Sequence, residues 1–246
     1  MRFLALFLLI FAFESFALVA NISKNNILIG LDFVGDEIMV FGNKGGEGEI
    51  VVVFKSQKVS YKVYGKQKIF GIWQNANPRV FKDIYKTYRL KSENFRGFGR
   101  EDVYKDLEIG VQNVNFYNFN NVKSSLLNSD YKEAFLWHKK REGSFDEELG
   151  GVNYFSNSDI FIGSIEIPPN VKPGSYFLEV FLIFEGDVRE VAIFNVKVEQ
   201  VGFLLELKEL ARANKGIYAL VCVFASIVIA FLAFILAKFF YYNRKR

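Results

Sequence analysis

Trp73, Asn75 and Asn77 form the least generic grouping of side chains in the sequence. A large ring with two amides beside it can orient a small polar ligand, the ring supplying contact area and the amides directional hydrogen bonds. The same tryptophan suits a core position with its indole N–H satisfied locally, and that structural role is the expectation. No acid occurs between Glu49 and Asp83, whereas Lys55, Lys58, Lys62, Lys66, Lys68, Arg79 and Lys82 all do. On strands these could build one basic face that attracts an anionic solute or anionic lipid headgroups, although lysines on the solvent side of a sheet are commonplace. The candidate ligand-binding residues are therefore Trp73, Asn75, Asn77, Lys62 and Arg79.

Other reactive types are sparse. Glu142, Asp146, Glu147 and Glu148 cluster, but nothing in their spacing sets an acid and a base across one substrate, so no catalytic residue and no enzyme are expected. His138 is the only histidine, and a metal site built on it would need carboxylate partners; neither a metal nor a cofactor is expected. The only cysteine, Cys222, lies in a C-terminal apolar run, which leaves the preceding region without a disulfide. GNKGGEGE at 42–49 is Gly-rich but lacks the Lys-Ser/Thr ending of a phosphate loop, and a strand pattern follows it. A hairpin connection is expected there.

The elements that would position these residues are mostly strands. Alternating β-branched and aromatic residues at 27–33, 37–42, 49–55 and 59–65 are broken by Gly-rich or charged turns. A weak helical piece near 100–107 precedes an Asn- and aromatic-rich stretch. Ser129 or Asp130 is expected to cap a helix that ends at Gly143, with Tyr131, Ala134, Phe135 and His138 on its packed face and Lys132, Glu133, Lys139, Lys140 and Arg141 in water. FDEEL at 145–149 reads as an acidic loop. Residues 160–200 read as three strands separated by turns at Pro168-Pro169 with Pro173-Gly174 and at Glu185-Gly186-Asp187. The expected fold class is mainly β, an antiparallel β-sandwich-like extracytoplasmic region over 18–200 with a short helix, as one domain or as two β subdomains.

Both ends of the chain speak of a membrane. Residues 1–17 have one base, an apolar run from Phe3 to Phe13 and small residues at Ser15 and Ala17, the pattern of a cleaved signal peptide. After a helical stalk at 201–215, residues 216–237 carry neither charge nor proline and are long enough to cross a bilayer. The tail at 238–246 is basic, which by the positive-inside rule leaves the C-terminus in the cytoplasm and the N-terminal domain outside, in the periplasm of a single-pass inner-membrane protein. Within the span, Ser226, Ala230, Ala233 and Ala237 are small residues that would permit close approach of a partner helix. Setting aside Arg2, Lys238, Arg244, Lys245 and Arg246 from the 31 bases and Glu14 from the 27 acids leaves residues 18–216 with equal numbers of each. A nucleic-acid partner is therefore not expected, and the lipid bilayer is.

Several strings resemble the alphaproteobacterial putative transmembrane protein family, a group of uncharacterised envelope proteins. They are LVANISKNNILIGLDFVGDEIMVFG at 18–42, GEGEIVVVFK at 46–55, GIWQN at 71–75, EAFLWHKKREGSF at 133–145 and IPPNVKPGSYFLEVFLIFEGDV at 167–188, followed by the single span. The resemblance covers nearly the whole chain. It implies a signal-bearing protein with an outer domain and one C-terminal helix, encoded beside a permease similar to the TauE/SafE sulfite-exporter group. The expected function is thus an accessory or interaction subunit of a multispanning permease, the alternative being a membrane-tethered binding domain for a small anionic solute. The resemblance assigns no site residues.

Overall fold

A computed structural model of the chain describes residues 17–93, 101–118, 125–155 and 158–243. The expected signal segment before Ala17 and Arg244–Arg246 of the expected tail lie outside them. Two compact units result, one holding residues 17–27 and 33–199, the other residues 28–32 and 200–243.

In chain order the strands are β1 (Val19–Ile22), β2 (Asn26–Ile29), β3 (Asp36–Asn43), β4 (Glu49–Ser56), β5 (Lys58–Ile69), β6 (Ile72–Tyr85) and β7 (Tyr88–Ser92). Helix α1 (Glu101–Leu107), a 3-10 turn at Val111–Asn113, β8 (Tyr117–Asn118) and helix α2 (Ser125–Arg141) follow. The chain then forms β9 (Phe145–Leu149), β10 (Val152–Tyr154), β11 (Ile160–Ile167), β12 (Gly174–Phe184) and β13 (Asp187–Gln200), before helices α3 (Phe203–Ala213) and α4 (Lys215–Asn243). Among the described residues the sheets run β1-β3-β11-β10, β2-β13-β12-β4-β7-β9 and β5-β6-β8. The protein is mainly β, as expected, and the strands of its two halves interleave.

The sequence of β4 explains the layering. IVVVF at 50–54 is apolar at consecutive positions, so neither face of this strand can meet water, and both are buried. One face carries Ile50, Val52 and Phe54, with Leu178 and Val180 of the neighbouring β12; Phe54 stacks on Tyr176 at 4.9 Å between ring centroids. The four-stranded sheet covers it, β11 lying against β4 and β7 with Ile38, Val40, Phe161 and Ile165 buried. The other face carries Val51, Val53, Leu90, Phe181 and Ile183, which form a second core with Phe81 and Tyr85 of β6, Tyr104 of α1, Phe135 of α2 and Phe145 of β9.

Four expectations are corrected here. The 42–49 segment is not a hairpin: β3 and β4 belong to different sheets, so these residues carry the chain across the sandwich. FDEEL is strand β9, parallel to β7, because Arg89 and Lys91 pair with Asp146 and Glu148 at matched register positions. Helix α2 begins at Ser125, a turn before the expected cap at Ser129 or Asp130. Its packed line is Tyr131, Phe135 and Lys139, whereas Ala134 and His138 are exposed. Lys139 is buried with its Nζ near the faces of Tyr61, Phe135 and Phe145 and donating to the Lys86 carbonyl at 3.2 Å.

In the second unit, Leu207, Leu210 and Ala211 of α3 are half-buried and Glu206, Lys208, Glu209 and Arg212 are exposed, an amphipathic arrangement. Helix α4 is uncharged from Gly216 to Ala237, about 33 Å at 1.5 Å per residue, and none of that length is buried. It is the one helix among the described residues long and apolar enough to cross a membrane.

Candidate functional site

The proposed ligand residues all lie on the β5–β6 ribbon, and its register separates them. Strand β5 is regular, while β6 carries an extra residue in two places, between the partners of Val59 and Tyr61 and between those of Val63 and Gly65. Each irregularity holds a non-glycine residue at positive φ, Asp83 (57°) and Asn77 (48°). Such bulges re-aim side chains. Trp73 faces Lys68 across the ribbon and Asn75 faces Lys66, whose Nζ donates to the Asn75 amide oxygen at 2.6 Å. Asn77 is spent in the bulge, its carbonyl accepting the Tyr131 hydroxyl at 3.1 Å. Arg79 lies over the Tyr131 ring, centroid distance 5.8 Å, on the α2 side of the ribbon, and Lys62 lies over Tyr64. Trp73 is 67% exposed, which corrects the expectation of a core tryptophan. Trp73, Asn75 and Lys62 thus lie on exposed ribbon, and none of the five lines the clefts described here.

The largest of these clefts, about 560 Å³, lies at one end of the sandwich between Asp36, Arg89, Glu142, Glu166, Pro169 and Asn170. Its charges are engaged with one another. The Arg89 guanidinium donates to Asp146 at 2.5 Å and to Glu166 at 3.4 Å, and Lys24 holds Asp36 at 2.5 Å. Burial pushes the Asp36 carboxyl up, but Lys24 and the Glu37 N–H more than offset this and hold it below the ordinary range. Two buried atoms, Arg89 Nε and Asn170 Oδ1, have no partner; an ordered water serves such groups. Three carboxylates around one guanidinium do not make a cradle for an anion.

The other acids are similarly occupied. Glu148 pairs with Lys91 at 2.9 Å, Glu147 accepts the Val111 N–H at 3.3 Å, and Glu142 accepts from Ser144 Oγ at 3.2 Å. Val111 is 36 residues from Glu147 and Arg89 is 57 from Asp146 in the sequence, which is why spacing alone did not reveal these pairings. A buried network lies deeper. Glu108 receives Lys58 Nζ at 2.7 Å, the Asn115 N–H at 3.1 Å and the Tyr85 hydroxyl, and Tyr88 bridges the Glu108 carbonyl and the Gly110 N–H. Burial, then the Glu108 carboxylate, push the Tyr85 hydroxyl far above its ordinary range. Among the described residues no group of three or more His, Cys, Asp or Glu side chains could hold a metal ion.

A surface feature not anticipated from the residues is the outer face of the four-stranded sheet. Phe41 sits opposite Ile162, Asn43 lies between Val19 and Ile160, and Met39 is opposite Ser164. Val19, Met39, Phe41, Ile160 and Ile162 are all exposed, so an apolar patch spans β3 and β11, with Val19 of β1 beyond Asn43. The only available signal was that EIMVFG places apolar residues on both parities of β3.

A β-rich sandwich and, among the described residues, one helix long and apolar enough to cross a bilayer define a membrane-anchored protein. Residues 17–238 match the family described as "Putative transmembrane protein (Alph_Pro_TM)", and the chain belongs to that family. No curated protein and no solved structure matches it.

Proposed function

We propose that this chain is a non-catalytic accessory subunit that docks on a multispanning membrane partner, by the family resemblance a permease of sulfite-exporter type. The observation that carries the reading is the apolar patch around Phe41 and Ile162, since exposed apolar surface of this continuity marks interaction sites. The small residues Ser226, Ala230, Ala233 and Ala237 lie at alternating four- and three-residue spacing on α4, a second surface on which a partner helix could approach closely. Ser226 Oγ donates within its own helix, to the Cys222 carbonyl at 2.8 Å, so packing rather than hydrogen bonding would make that contact. An anionic-solute function has less support, because Lys62, Lys66 and Lys68 lie along an exposed ribbon away from the described clefts and the largest of those clefts is ringed by carboxylates.

The partner test is co-purification of the full chain from native membranes in mild detergent. Phe41→Asp with Ile162→Asp is expected to cut recovery of the partner about tenfold or more, as loss of interface anchors does. Ala230→Leu with Ala233→Leu should give a smaller loss. Recovery unchanged in both variants would leave the chain an anchored domain without this role. Orientation is a separate matter: Lys238, Arg244, Lys245 and Arg246 support a cytoplasmic C-terminus. In a Cys222→Ser background, Lys172→Cys should react with an impermeant thiol reagent from outside and Asn243→Cys only from the cytoplasmic side; the converse would reverse this assignment, and labelling of both from one side would rule out a crossing between them.

A further inference from the structure

The β5–β6 ribbon ends in a two-residue turn, Phe70-Gly71, closed by Ile69 opposite Ile72. Both turn residues have positive φ, 49° and 82°, the type I′ geometry normally filled by Asn-Gly or Asp-Gly. A bulky side chain in that region is sterically disfavoured, and residues held so are a pointer to function. Phe70 is 99% exposed, so no packing within the domain compensates for its placement. Ile72 and Trp73 beside it are also mostly exposed.

The ribbon behind this apolar tip is basic. Because β5 is regular, Lys62, Lys66 and Lys68 share one exposed face, and the register sets Trp73 opposite Lys68 on that face. Lys66 bonds the neutral Asn75 amide and Lys62 lies over Tyr64, so neither positive charge is neutralised by those contacts. The three lysines extend over about 20 Å of strand at 3.3 Å per residue, with no acid in the sequence between Glu49 and Asp83. An apolar point, an indole behind it and a line of ammonium groups reproduce, in order, the chemistry of acyl chains, interface and anionic headgroups. A protein groove accepting this ribbon would need an apolar socket and a matching acidic channel together. A lipid surface presents both at once. The covalent link to a membrane-spanning helix also raises the concentration of bilayer that the ribbon meets.

We propose that the β5–β6 ribbon is a membrane-docking finger: Phe70, Ile72 and Trp73 enter the bilayer interface, and Lys62, Lys66 and Lys68 engage anionic phospholipid headgroups. This uses a surface separate from the Phe41–Ile162 face and needs no protein partner, so either proposal can fail alone.

The test uses the full chain with Trp137→Phe, which leaves Trp73 as the single indole, in nanodiscs of phosphatidylcholine with or without phosphatidylglycerol. Trp73 emission should shift to the blue and be quenched by lipids brominated on their acyl chains, and more so with phosphatidylglycerol. Each Lys→Gln change at 62, 66 or 68 should weaken docking about fivefold, and raised salt should do likewise. Phe70→Ser should reduce quenching at every lipid composition. The comparison of lipid compositions uses the unaltered ribbon and does not depend on any variant folding. Emission and quenching that ignore lipid charge would overturn the proposal, as would shielding of Trp73 seen in native membranes but not in nanodiscs, which would assign the finger to a protein.

Discussion

Phe135→Ala should cost the β domain about 4 kcal/mol, within the range for emptying a buried phenylalanine site. The side chain is buried and its ring meets four others, Tyr61 at 5.1 Å, Phe116 at 5.7 Å, Phe81 at 6.2 Å and Phe145 at 6.3 Å between centroids. These partners come from β5, the segment before β8, β6 and β9, so one ring joins helix α2 to the ribbon and to the main sheet. The cavity could close only if several backbone segments moved together, which favours a cost in the upper part of the range. Urea unfolding of the full chain in detergent, followed by near-ultraviolet circular dichroism, reads the difference. A loss below about 1.5 kcal/mol would mean that α2 contributes little to this core.

The same helix shows where sequence and fold diverge. Periodicity marks Phe135 as apolar and on a packed line, and it does pack. It also put His138 on that line and Lys139 in water, because a residue-type rule treats every lysine as a surface group; the helix phase instead follows Tyr131, Phe135 and Lys139 at steps of four. The apolar runs of β4 and β12, the turn between β12 and β13 and the membrane span were legible because each is a local pattern. Sheet membership was not. Period-two alternation says which side chains share a face, but not whether β3 continues into the sheet of β4 or crosses to another.

The candidate site was partly legible for a related reason. Of the lysine-rich stretch, Lys62, Lys66 and Lys68 share an exposed face with Trp73, as strand parity allows, whereas Lys55 pairs with Glu179 and Lys58 with Glu108. The bulges at Asn77 and Asp83 could not be foreseen, since neither is a glycine, and they turn Arg79 toward α2 and take Asn77 into the backbone. Nor did Phe70 stand out, because its significance lies in its backbone angle. Family membership agrees with a membrane protein and leaves those side chains without assigned roles.

Glu108→Gln should destabilise the β domain by about 3 kcal/mol at pH 7, the low end for removing one partner of a buried ion pair. Lys58 places the cost there, since its side chain keeps 35% of its surface and can recover some hydration. Glu108 follows α1 at positive φ, 54°, a conformation unfavourable for glutamate, and its carboxylate is fixed by Lys58, Tyr85 and the Asn115 N–H. Burial raises its pKa, but the Lys58 and Tyr85 hydrogen bonds, the Asn115 N–H and the Lys58 charge together bring it below the ordinary value of 4.5. A carboxyl depressed in the folded state stabilises the fold above its unfolded pKa, and that contribution is lost as pH falls through the folded one. The gap between the parent and Glu108→Gln should therefore be full at neutral pH, begin to shrink below about 4.5, and be smallest below the folded pKa. Lys58→Met alone should also destabilise, whereas adding it to Glu108→Gln should cost less than the two single changes combined, because the charge left behind is removed with it. Urea unfolding across pH 3 to 8 measures both effects. A gap that does not change with pH would show that Glu108 acts through shape and neutral hydrogen bonds rather than through its charge.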